Sequence, residues 1–249
     1  MLLWKEFGRM DGAVVVLVHG GGLSWWEYEG VIAQLAPTYR VATPVLEGHG
    51  ENAATPFESI EASAQALVAD IATRYGGQVL ALGGVSLGGQ IVAEALSQSA
   101  SLARFALLES ALVLPIAGMG AWVKPMVSMS FPLMRQRWFA RWQASAMGLP
   151  PERFETYLSE TRAMSRETLL HMLQSNAAYR INPALSRATA KVLIVAGARE
   201  PGVVRRSAQA LHAALPGSVL WLAPGLRHGE FSLRHGQQYA KRLLQHLHA

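Results

Sequence analysis

The chain has no cysteine, which excludes a disulfide framework and any thiolate metal site. Aspartate is nearly as scarce, with Asp11 and Asp70 the only two among 249 residues. Carboxylate chemistry in this chain must therefore draw chiefly on glutamate. Charged residues make up 16% of the chain and hydrophobic ones 51%, a balance that excludes extensive disorder. Lysine is rare too: four lysines and 18 arginines give a formal charge of +5 without a basic block. The small groupings at Arg135, Arg137 and Arg141, and at Arg205 and Arg206, read as solvated helix faces, and no nucleic-acid partner is expected.

The first residues, Met1 to Glu6, lack a basic segment followed by a long apolar core. No signal peptide is expected, and a cytoplasmic location follows as the default. Phe105 to Val123 is almost uncharged and about long enough to span a bilayer. It carries Glu109, Pro115 and two glycines, however, and fits a buried strand, a loop and an apolar helix better than a membrane span. Neither a Gly-rich phosphate loop nor a clear metal-ligand cluster is present, so no cofactor and no metal are expected.

Short apolar runs alternate with longer helical patterns. Ala13 to Val18, Tyr39 to Thr43, Val79 to Gly83, Phe105 to Leu108, Val192 to Ala196 and Val219 to Leu222 read as strands of a parallel sheet covered on both faces. Helices are expected at Trp26 to Ala36, Ser59 to Tyr75, Gln90 to Ser97, Arg205 to Ala214 and Gln237 to His248. The alternation predicts an α/β fold with a doubly wound, mostly parallel sheet. The rhythm breaks over residues 112–189, where helix signals stand alone: Pro150-Pro151-Glu152 opens one helix and Ser165 caps another. Seven of the nine methionines and three of the seven tryptophans fall in this segment. Met134, Trp138 and Trp142 form one helical stripe, which either packs on the domain beneath or, with Leu23, lines an adaptable apolar pocket.

Gly84-Val85-Ser86-Leu87-Gly88 follows one of the strands and leads into a helix. A turn that sharp needs small residues on both sides of the serine, whose oxygen is then held out toward substrate. His19-Gly20-Gly21-Gly22 follows an earlier strand, and Pro224-Gly225-Leu226-Arg227-His228-Gly229 a later one. Together, in this chain order, these motifs resemble the α/β-hydrolase superfamily, and the resemblance covers nearly the whole chain.

The resemblance implies a core of residues 1–111 and 190–249 with a helical cap inserted at 112–189. It implies Ser86 as nucleophile and His228 as general base and acid, His235 being a weaker match beside the terminal helix. Glu200, in Gly197-Ala198-Arg199-Glu200-Pro201, matches the acid position with Glu in place of the commoner Asp. Glu109 is the alternative acid, since some relatives carry theirs after the earlier strand. The oxyanion donors implied are the backbone N–H groups of Leu87 and Gly21, or Gly22 as the alternative. His19 is expected to brace its loop. In Pro44 to Gly50, Glu47 replaces the usual Asp of a structural turn, and His49 is a minor candidate for substrate contact.

The expected reaction is hydrolysis of a carboxylic ester with an apolar or aromatic acyl group. A thioesterase, lactonase or acyltransferase would use the same residues, and a ligand receptor on the same fold would turn over little or nothing.

Overall fold

The computed structural model describes residues 2–116 and 118–247. His248, at the end of the last expected helix, lies outside the described residues. In chain order the elements are β1 (Leu3–Gly8), β2 (Val14–Val18), α1 (Glu29–Leu35), β3 (Arg40–Val45), α2 (Ile60–Tyr75), β4 (Val79–Val85), α3 (Leu87–Gln98) and β5 (Ala103–Glu109). Four helices follow: α4 (Met119–Met134), α5 (Arg137–Met147), α6 (Phe154–Ala163) and α7 (Arg166–Ala178). The chain ends with β6 (Lys191–Gly197), α8 (Gly202–Ala214), β7 (Val219–Ala223), α9 (Glu230–Arg234) and α10 (Gly236–Leu247).

The seven strands form one sheet in the order β1-β3-β2-β4-β5-β6-β7. All neighbours are parallel except β1, which runs antiparallel to β3. Six strands were expected; β1 is the addition. Its sequence, Leu-Trp-Lys-Glu-Phe-Gly, carries charges at its centre because the strand lies at the sheet edge and is only half-buried. Within the parallel part, side chains alternate between two cores. Val16, Val18, Leu82, Ala106 and Ile194 face one, and Val15, Leu17, Ala81, Leu107 and Val195 face the other. That double burial is why the strands read as unbroken apolar runs.

Local signals set the helix starts. Ser59 caps α2 by accepting the Ala62 N–H, and Ser165 caps α7 by accepting the Thr168 N–H. Phe105 to Val123 divides into β5, a loop and the beginning of α4, and no helix among the described residues is long and apolar enough to cross a membrane.

Strand order reverses at the middle of the sheet, since the chain passes from β2 to β3 on one side and later to β4 on the other. Such a switch opens a crevice at the carboxyl ends of the two central strands. The loops that leave those ends are His19 to Gly22 and the turn at Ser86. Close backbone packing holds that turn. A Cβ at Gly84 would run into the Gly88 carbonyl, and one at Gly88 into the carbonyl oxygens of Val18 and His19. Backbone cannot give way as a flexible side chain can, so Gly88→Ala is expected to destabilise the fold by about 3 kcal/mol. A thermal melt checks this; a midpoint equal to wild type would show that the turn is looser than described.

Candidate active site

Ser86 sits between β4 and α3 with φ 53° and ψ −115°, a backbone conformation that non-glycine residues rarely adopt. Its N–H donates to the Glu109 carbonyl at 2.8 Å, which ties the turn to the neighbouring strand β5. Its hydroxyl lies 2.9 Å from His228 Nε2, and His228 Nδ1 lies 2.8 Å from Glu200 Oε2. The three residues come from the ends of β4, β6 and β7, far apart in sequence and adjacent in space.

Glu200 is buried, and its oxygens are fully engaged. Oε1 accepts the Gly197 N–H at 2.6 Å and the Ser110 hydroxyl at 2.8 Å, leaving Oε2 for the imidazole. Burial alone would raise this carboxyl, but the hydrogen bond and charge of His228, with help from Gly197 and Ser110, hold it below its ordinary value. A carboxylate that accepts a hydrogen bond from Nδ1–H leaves Nε2 as the acceptor for the serine hydroxyl. The arrangement can therefore carry a proton off Ser86 and return it to a leaving group.

Glu109 stands nearby but engages other partners. Its carboxylate accepts the N–H groups of Phe231 and Ser232, just beyond the histidine loop, and among the described residues it makes no hydrogen bond to His228. Two further polar groups were not foreseen from the sequence. Ser110, with φ 55°, bridges the site: its hydroxyl donates to Glu200 and accepts the Gly229 N–H at 3.3 Å. Glu27 is buried and accepts the Gly20 N–H at 2.7 Å. A lone serine after a strand carries no motif, whereas a carboxylate inside Trp25-Trp26-Glu27-Tyr28 was a visible anomaly.

Leu87, as the first residue of α3, has an N–H without an acceptor inside the helix. Gly21 lies beside the Leu87 side chain: a Cβ there would lie 3.5 Å from Leu87 Cδ2 and 2.8 Å from Met172 Sδ. Gly22 has φ 80° and open space around its Cβ position, so it shapes the loop by its left-handed backbone. His19 is buried, donates from Nδ1 to the Gly20 carbonyl and accepts the Leu46 N–H at Nε2. His49 is buried beside it, with rings 5.2 Å apart, and donates from Nδ1 to the Glu47 carbonyl. Glu47 accepts the Ser63 hydroxyl, so the Glu in this turn ties it to α2.

The expected apolar lining is only partly in place. Leu23 is buried, packed with Trp26, Phe154 and Leu158 between the loop after β2 and helices α5 and α6. Met134 is half-buried against the core. Trp138 and Trp142 instead point outward, because α5 buries its small face, Ala140 and Ala144. The expected single stripe does not form: Met134 ends α4, the backbone is extended at Gln136, and only Trp138 and Trp142 share a helix. A cavity of about 430 Å³ reaches His228 and is walled by Arg199, Arg227, Glu230 and Arg234 below Ser145 to Gly148. A larger cavity, of about 750 Å³ between Glu58, Glu94, His171 and Tyr179, touches none of the three residues at the end of the sheet.

Burial of ionisable groups around the site makes a pH signature. Burial pushes the Glu27 carboxyl up to about 8 and that of Glu109 up to about 7, against the pull of their N–H donors. Burial drives His19 down to about 3, aided by His49, and His49 down to about 4. The raised carboxyls favour folding fully below 4.5, and that contribution is lost as pH rises through about 7 and 8. The lowered imidazoles favour folding above 6.5 and lose their contribution as pH falls through about 4 and 3. The slopes oppose each other in between. Glu160, pushed up to about 7 by burial, adds a third raised carboxyl against the two imidazoles, so calorimetry should find the thermal midpoint highest at about pH 4.5 and falling on both sides; a steady rise from there to about pH 8 would contradict these environments.

A family model described as the alpha/beta hydrolase family matches residues 15–242. A search of curated proteins gave no match. Among solved structures, a thermophilic esterase from Thermogutta terrifontis is similar with 21% identity and a TM-score of 0.76, over 100% of this chain and 94% of that one. An enol-lactonase from Burkholderia xenovorans LB400 has 16% identity and a TM-score of 0.82, over 100% and 96% of the two chains. A bromoperoxidase from Bacillus anthracis has 21% identity and a TM-score of 0.79, over 100% and 95%. Likeness at that identity speaks to the fold, on which several chemistries are hosted. With the family model matching over nearly its whole length, the chain belongs to the alpha/beta hydrolase family.

Proposed function

We propose that this protein is a serine hydrolase that cleaves carboxylic esters of small molecules through an acyl-enzyme on Ser86. The observation that carries the reading is the unbroken hydrogen-bond chain from Ser86 through His228 to the buried Glu200 carboxylate. Ser86 Oγ attacks the ester carbonyl carbon while its proton passes to His228 Nε2. The tetrahedral oxyanion is held by the N–H groups of Leu87 and Gly21. As the C–O bond breaks, His228 protonates the departing alcohol. Water then attacks the acyl carbon and gives its proton to His228, which returns one to Ser86 as the acid leaves.

In this reading α4 to α7, within residues 112–189, serve as a cap over a core of 1–111 and 190–249. Met172 of α7 and the Leu87 side chain, both beside Gly21, favour an apolar or aromatic acyl group over the oxyanion donors. The arginine-walled cavity that reaches His228 favours a polar or anionic leaving portion. A thioesterase, lactonase or acyltransferase would share the machinery and differ in these walls.

The test is saturable hydrolysis of a chain-length series of p-nitrophenyl esters, with the corresponding thioesters and lactones alongside. Esters turned over fastest support the reading. An inert wild-type protein across every substrate would shift it to a ligand receptor.

A further inference from the structure

Helices α4 and α5 leave an apolar ridge uncovered. α4 buries Val123 and Val127, so Trp122, Met126, Met129 and Leu133, spaced four, three and four residues apart, line its outer side. Trp122 is 71% and Met129 73% exposed, and on α5 Trp138 and Trp142 are 65% and 63% exposed. Side chains this bare stand proud of the surface, where a soluble monomer rarely gathers large apolar groups.

Along α4 and α5 themselves the charge has one sign. No carboxylate occurs between Glu109 and Glu152, while Lys124, Arg135, Arg137 and Arg141 fall in that stretch. Arg137 pairs with Glu155; Lys124, Arg135 and Arg141 are exposed and make no ion pair among the described residues. We infer that this ridge docks on an anionic lipid surface, with Trp122, Met129, Trp138 and Trp142 entering the headgroup region and the cations meeting lipid phosphates. Protruding tryptophans flanked by lysine and arginine suit that boundary, where one end of the side chain is apolar and the other wet. A second copy of the chain would bring the same cations face to face. A deformable medium accepts protruding side chains without a matching cleft, and the helices lie along it, since none among the described residues is long and apolar enough to cross.

Docking needs no chemistry at Ser86 and is tested without it. The full chain is sedimented with phosphatidylcholine vesicles, and with vesicles in which about a third of the lipid is phosphatidylglycerol. The expected result is binding to the mixed vesicles alone, weakened by salt, and reduced roughly tenfold or more by Lys124→Glu and by the pair Trp122→Ser and Met129→Ser. These positions are exposed, and both variants should keep the wild-type thermal midpoint. Absence of binding to mixed vesicles, equal binding by the variants, or a wild-type dimer in light scattering that Trp122→Ser and Met129→Ser dissolve would each overturn the inference, the last by assigning the ridge to a second copy.

Discussion

Ser86→Ala is expected to lower kcat for ester hydrolysis by on the order of 10⁵-fold while leaving the fold intact. The size follows from the arrangement: among the described residues the hydroxyl is the only group hydrogen-bonded to His228 Nε2, and water held there instead gains only from the oxyanion donors. Stability should move independently of activity. The φ of 53° belongs to the backbone position, not to the hydroxyl, so alanine inherits the strain and melts close to wild type. Ser86→Gly relieves it and is expected to raise stability by about 1 kcal/mol with the same loss of turnover. A functional serine held at a cost to the fold is the pattern this pair of variants would reveal. An Ser86→Ala protein that retains most of its activity would remove Ser86 from the reaction.

Glu200→Gln is expected to cost on the order of 10⁴-fold in kcat, and the reason lies in the donors around it. Gly197 N–H and the Ser110 hydroxyl both donate to Oε1, and His228 Nδ1 faces Oε2. An amide can satisfy only one side. With its oxygen toward Gly197, its NH₂ faces the ring and favours the tautomer whose proton is on Nε2, where it cannot accept from Ser86. With the amide turned round, the Gly197 N–H is left facing another donor. Glu109→Gln has a different expectation, a loss of less than about tenfold in kcat, because a glutamine oxygen can still accept the Phe231 and Ser232 N–H groups. Ser110→Ala falls between them, since it releases both Glu200 and Gly229. Steady-state kinetics on one ester across the three variants decides the order, and a Glu109→Gln protein more damaged than Glu200→Gln would move the acid to β5.

Much of this was legible in the sequence where chemistry and sterics coincide. Gly84 and Gly88 flank Ser86 because backbone passes where their side chains would be, and that restriction shows as a pentapeptide. The parallel strands were readable because burial on both faces leaves no polar alternation. The acid narrowed to two glutamates because aspartate is so rare, and the structure sets Glu200, not Glu109, beside His228 Nδ1.

What stayed hidden depends on contacts distant in sequence. Ser110 gains its position only when β5 and the loops after β6 and β7 meet. β1 was not among the expected strands because an edge strand with Lys5 and Glu6 at its centre has little to bury. The orientation of Trp138 and Trp142 was unreadable for a further reason: small residues at Ala140 and Ala144 let α5 pack closely, so the large side chains were left outside despite their hydrophobicity.

The most direct test of the central claim is a fluorophosphonate probe, which phosphonylates a serine only where a base has activated it and an oxyanion site receives the phosphoryl oxygen. Peptide mass mapping of the wild-type protein should place one adduct on Ser86. The adduct should be absent from Ser86→Ala and strongly slowed in Glu200→Gln. Labelling that misses Ser86, or that proceeds unchanged without Glu200, would contradict the account.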